Sequence, residues 1–119
     1  MIARSTAQYP SVLSDGVAYA MGVLRVRLGR GADMRWLSPQ DFASLIHDAA
    51  ERAELPIVRS KGPRGRLRIT PGPPLTPGHV SRSEYFDFEL ERPITGWEFR
   101  RRLTEQLPED VEILGQRRL

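Results

Sequence analysis

YFDFELERPITGWEF, residues 85–99, decides the fold, because two periodicities meet inside it. In its first half Phe86, Phe88 and Leu90 alternate with Tyr85, Asp87, Glu89 and Glu91, the period of two of a strand with one buried side. The second half is a helix start. Thr95 stands at the N-cap, Glu98 answers it three residues on as in a capping box, and Ile94 is placed to staple to Phe99. A one-sided strand therefore passes almost directly into a helix.

The same passage occurs earlier in the chain. Leu24, Val26 and Leu28 alternate with Arg25 and Arg27, and Leu37-Ser38-Pro39-Gln40-Asp41-Phe42 then supplies a cap, a proline at the first helical position, an acid and a staple. Phe42, Leu45, Ile46, Ala49, Ala50 and Ala53 continue this helix as a one-sided stripe until Leu55-Pro56, with Asp48 and Arg52 paired on the wet side. The second helix runs through Phe99, Leu103 and Leu107 and stops at Pro108. Ile57-Val58 and Leu67-Arg68-Ile69 read as two pieces of one strand separated by a turn at Lys61 to Gly65, and Val111-Glu112-Ile113-Leu114 reads as the last strand.

Strand, helix, strand, then strand, helix, strand is the split β-α-β order of an α+β ferredoxin-like sandwich: one antiparallel sheet with two helices on one face, here with an extra hairpin. Its first and third strands are neighbours, so Arg25 and Arg27 are expected to face Asp87 and Glu89 across the open face. Base-stacking sheets use two or three aromatics on these strands, and only Tyr85 is available, so RNA recognition by the sheet face is set aside.

A chain of 119 residues is long enough for one domain with its own core, without disulfides or metal. The absence of cysteine removes disulfides, thiolate zinc sites, iron-sulfur clusters and cysteine nucleophiles. Ala18-Tyr19-Ala20 has the small-x-small form of a signal cleavage site, but Pro10, Ser11, Ser14 and Asp15 occupy the place of an apolar core, so neither export nor membrane insertion is expected and the cytoplasm is the expected compartment. Residues 1–20 read as an N-terminal extension, a candidate flexible arm, and 21–119 as the single domain.

Charge is unevenly distributed. Between Glu54 and Glu84 there is no acidic residue, while Arg59, Lys61, Arg64, Arg66, Arg68 and Arg82 all fall there; the net charge of +3 thus divides into a basic segment and an acidic remainder. These six side chains form the candidate anion- or partner-binding set. Gly62, Gly65, Gly72 and Gly78 match neither phosphate-loop fingerprint, and the intervening prolines lack amide hydrogens, so an anion here would be held by arginine side chains.

Few residues suggest catalysis. His47 is expected to be solvent-exposed on the first helix, and His79, in the basic segment, is the one weak candidate for an acid or base. Ser60, Ser81 and Ser83 lack a nucleophile context, and no ligand set for a metal or other cofactor is expected. Trp36 and Trp97 are expected to pack in the core. Arg100, Arg101 and Arg102 read as a wet helix face.

Leu37-Ser38 with Asp41-Phe42, Leu55-Pro56, Ser60-Lys61-Gly62, Gly72-Pro73-Pro74-Leu75-Thr76-Pro77-Gly78 and Ser81-Arg82-Ser83-Glu84-Tyr85 resemble, in this order, the motifs of the small bacterial domain of unknown function described as radical-SAM-linked. The resemblance covers about four-fifths of the chain. It implies a structural turn at Gly72, Pro73, Pro74 and Gly78, with Glu84 at the strand start that follows. Pro39 stands where the family has a histidine, and Pro63-Arg64-Gly65 replaces most of a Phe-Asn-Pro stretch, so chemistry dependent on those residues is absent here. The family association implies a radical-SAM or RNA-modifying protein as partner, whose cluster this cysteine-free chain does not bind itself. The expected function is a non-catalytic accessory or binding module engaging RNA or such an enzyme complex through the basic hairpin. The alternatives are a small RNA-processing or transferase-like enzyme using His79, and a protein–protein adaptor pairing through a strand edge.

Overall fold

The computed structural model describes residues 18–19, 22–34, 36–62, 65–72 and 83–119. In chain order the elements are β1 (Ala18–Tyr19), β2 (Gly22–Arg30), a 3-10 turn (Ala32–Met34), α1 (Pro39–Ala53), β3 (Ile69–Pro71), β4 (Ser83–Leu90), β5 (Ile94–Thr95), α2 (Gly96–Gln106) and β6 (Val111–Arg118). The main sheet has the order β3-β4-β2-β6 with antiparallel neighbours throughout, while β1 and β5 make a separate two-residue ribbon. The first and third strands of the sandwich, β2 and β4, are thus central.

Parity along the strands puts both helices on one side. Leu24, Val26 and Leu28 of β2 and Phe86, Phe88 and Leu90 of β4 share a face, and each is no more than 2% exposed. Phe42 of α1 meets Phe86 with ring centres 5.8 Å apart, and Phe99 of α2 meets Phe88 edge-on at 5.2 Å. Each such ring adds roughly 1.5–3 kcal/mol by leaving water. The helix starts have the expected caps: Ser38 Oγ accepts from the Asp41 amide at 3.0 Å, and Thr95 Oγ1 accepts from that of Glu98 at 3.0 Å.

The second strand of the sandwich is interrupted by the hairpin. Ile57 bridges to Leu90 and Ile69 pairs with Phe88, so twelve positions along the edge cover two of β4 and ten residues are looped out. The Val58 amide donates to Glu89 O and the Glu89 amide to Arg68 O, so the strand resumes where it left off.

Three expectations need correction. Arg25 does face Asp87, with Nε and Nη2 donating to the two carboxylate oxygens at 2.8 and 2.9 Å. Arg27, however, lies opposite Tyr85, and Glu89 lies opposite Val23, because indices run in opposite directions along antiparallel neighbours. Arg27 Nε donates instead to Ser83 Oγ at 3.0 Å. Trp36 and Trp97 are outside the core, 81% and 61% exposed, because the staple residues Leu37 and Ile94 and the stripe residues Phe42 and Phe99 already fill those sites. Trp97 instead lies under the Arg101 guanidinium, 5.7 Å from the ring centre.

The arginine triplet is also divided. Only Arg101 fits the wet face, pairing with Glu98 at 2.6 Å and Glu105 at 3.1 Å. Arg100 donates to Ile113 O at 2.9 Å and ties α2 to β6, and Arg102 donates to Ala53 O at 2.8 Å and to Glu54 O, capping the C-terminus of α1 from its neighbour. Arg52 returns the favour to α2 through Gln106 O at 3.2 Å.

Candidate anion-binding surface

The hairpin is a tight, anchored ladder. Arg59 bridges Leu67, the Ser60 amide donates to Arg66 O at 2.8 Å, and the Arg66 amide donates to Ser60 Oγ at 3.0 Å, with Leu67 buried beneath. Gly65 is required, since a Cβ there would run into the carbonyl oxygen of Ser60.

Its basic side chains have different duties. Arg59 Nη1 donates to Glu51 Oε2 of α1 at 3.0 Å and to Gly65 O at 3.1 Å, fastening the turn to the helix. That hydrogen bond holds the Glu51 carboxyl below the ordinary carboxylate range. Arg68 lies 3.8 Å from Glu89. Lys61 and Arg66 are exposed and form no ion pair among the described residues. Arg64 and Arg82 lie outside the described residues, as do His79, Pro73, Pro74 and Gly78.

Residues of the expected structural turn that are described serve packing. The Gly72 amide donates to Tyr85 O at 2.7 Å, and a Cβ at Gly72 would come within 2.6 Å of that of Tyr85, so only glycine lets the chain run this close to β4 as it leaves β3. Glu84 Oε2 is 2.7 Å from Arg30, a residue the sequence reading did not single out. The Arg30 side chain, 16% exposed, also donates to Met34 O at 3.1 Å and Leu37 O at 2.9 Å and lies 4.6 Å above the Phe42 ring. One guanidinium thus joins the end of β2, the loop into α1 and the start of β4.

His47 is half-buried, not simply exposed as expected, because the looped-out hairpin is fastened to this side of α1. Burial, and secondarily the Arg66 charge, push its imidazole below the ordinary value and favour the neutral ring. No group of three or more His, Cys, Asp or Glu able to hold a metal ion occurs among the described residues. No described helix is long and apolar enough to cross a membrane.

A second basic region lies on the open face of the sheet. Arg25, Arg27, Tyr85, Leu114, Gly115 and Arg117 line a groove of about 440 Å³ between β2, β4 and β6. Sequence alternation missed it because β6 is bulged. Arg27 pairs with Gly115 and Leu28 with Ile113, so Leu114 is an extra residue, and beyond it every side chain changes face. Gly115 and Arg117 thereby join the open face, while Gln116 turns to the helix side and donates to Gly96 O at 2.9 Å.

The sequence model of a family described as "Uncharacterized protein conserved in bacteria (DUF2344)" matches residues 24–119. No curated protein and no solved structure matches the chain. The matched span runs from β2 to β6 and takes in both helices, the hairpin and the bulge, and by it the chain belongs to the DUF2344 family of proteins conserved in bacteria.

Proposed function

We propose that the chain is a non-catalytic accessory module of the cytoplasm that binds RNA, within a radical-SAM or RNA-modifying enzyme complex, through the basic hairpin. The observation that carries this reading is the division of labour in the hairpin. Arg59 and Arg68 are neutralised against the body, whereas Lys61 and Arg66 stand exposed without a carboxylate among the described residues. Exposed cations without a counter-charge in the fold are available to an anion, and a phosphate chain supplies one. The radical-SAM association rests on the resemblance of the Gly72-Pro73-Pro74-Leu75 turn and the Glu84-Tyr85 strand start, and any cluster belongs to the partner.

The test is titration with single-stranded RNA at several salt concentrations. Two to four phosphate contacts, from Lys61 and Arg66 with Arg64 and Arg82, give a slope of log affinity against log salt of about −1.5 to −3. The double substitution Lys61→Gln, Arg66→Gln brings that slope about 1.4 closer to zero. Salt-independent binding, or none, overturns the reading.

A further inference from the structure

The groove on the open face has a charge imbalance that the fold does not explain. Arg25 and Arg117 are direct partners across β2 and β6, and like charges so placed destabilise a sheet. Asp87 satisfies Arg25 with both oxygens. Among the described residues Arg27 has only the Ser83 hydroxyl, bound through Nε, which leaves its terminal nitrogens for another acceptor. Arg117 is exposed and forms no ion pair among the described residues. Three guanidiniums against one carboxylate leave two positive charges around one groove.

The floor of that groove is vacant by construction. Gly115 sits opposite Arg27, and a Cβ built on it meets nothing within 4 Å. The bulge puts Leu114, 44% exposed, against Gly29, and Tyr85 borders the other side. Bulges of this kind re-aim side chains beside functional sites. A single ring flanked by an aliphatic side chain suits one flat group rather than a run of stacked bases.

We propose that this groove binds a nucleotide by its terminal phosphomonoester, with Arg27 and Arg117 holding the phosphate and Tyr85 and Leu114 receiving the attached base. A phosphomonoester carries about −1.5 to −2 at neutral pH, which matches the two uncompensated guanidiniums, whereas a carboxylate or an internal phosphodiester carries one charge. The volume falls within the range of about 300–1,000 Å³ of small-ligand sites. The phosphate belongs either to a free mononucleotide or to the end of an RNA chain. The site lies on the β2–β6 side of the sheet, away from the hairpin at the β3 edge, and stands independently of the hairpin reading.

The experiment compares a short single-stranded RNA bearing a 5′-phosphate, the same RNA with a 3′-phosphate, its hydroxyl-ended twin, and AMP, by titration against the wild-type chain. At least one phosphorylated form binds about tenfold more tightly than the hydroxyl twin, as expected of charge-assisted hydrogen bonds. Gly115→Leu puts a side chain into the groove from a position where a Cβ meets nothing within 4 Å, and it and Arg117→Gln each erase that preference. The double substitution Lys61→Gln, Arg66→Gln weakens all RNAs alike and leaves the preference intact, so the two sites succeed or fail separately. Binding of AMP as tight as that of the phosphorylated RNA identifies a free mononucleotide as the source; a preference confined to RNA identifies a chain end. Equal binding of phosphorylated and hydroxyl forms, or a preference that survives Gly115→Leu, overturns the proposal. So does self-association in sedimentation that Arg117→Gln abolishes and AMP does not affect, which assigns the face to a second copy.

Discussion

The two faces of the sheet are built from alternate residues of the same strands, yet they are determined in different ways. On the helix side Leu24, Val26, Phe86, Phe88 and Leu90 are sealed under Phe42 and Phe99, and the driving force has no direction. Any apolar residue of suitable volume at the right parity contributes there. On the open side Arg25, Arg27, Tyr85, Asp87 and Arg117 depend on which residue lies opposite which, because charge pairing is directional and short in range. A pattern of period two settles the first face and leaves the second undecided. Charge therefore remains unmatched where register, not composition, controls the outcome.

The comparison breaks most visibly if the faces are probed side by side. Phe88→Ala is expected to cost about 3–5 kcal/mol in denaturant unfolding, since the cavity faces Phe99 and cannot collapse between two layers. Tyr85→Ala, three residues earlier on the other face, is expected to cost less than about 1 kcal/mol. Equal losses would show that the open face is buried by something in solution.

Where the faces meet, at the start of β4, the expected effect is intermediate. Glu84→Gln leaves the largely buried Arg30 without its counter-charge, while Met34 O and Leu37 O still accept from it. A loss of about 1–3 kcal/mol is expected, read from the denaturation midpoint at unchanged slope. No loss would mean that the carbonyls alone satisfy Arg30.

The smallest change is the most diagnostic of the open face. Arg117→Gln removes a like charge opposite Arg25 and is expected to be neutral or to stabilise by about 0.2–0.5 kcal/mol, the gain shrinking as salt screens the repulsion. A clear loss of stability would mean that Arg117 has a structural partner and is not held in reserve for a ligand.

Much of this arrangement was legible locally. The alternation of residues 86–90, the caps Ser38 and Thr95 and the stop at Pro108 each act over a few residues, so reading them in order yields the ferredoxin-like sequence of elements. The looped-out hairpin was legible for the same reason, as two apolar strand pieces flanking a glycine-bearing turn. The two tryptophans misled because aromatic size says nothing about whether a staple residue next door already occupies the pocket. Arg30 escaped notice and Arg102 was misread as part of a wet face because each bonds to carbonyl oxygens of other elements, and every residue type offers a carbonyl.

Element order, the helix starts, the buried parity of β2 and β4 and the acid-free basic hairpin are all written in the chain locally, because these rest on periodicity and on groups within a turn of one another. That Arg27 faces Tyr85, that Arg59 is bound to Glu51, and that the bulge at Leu114 turns Gly115 and Arg117 onto the open face emerge only when the strands and helices come together. One extra residue in one strand reverses the facing of all that follow it, and nothing in the alternation of β6 alone records that reversal. Register is a relation between two strands, and a single stretch of sequence contains one of them.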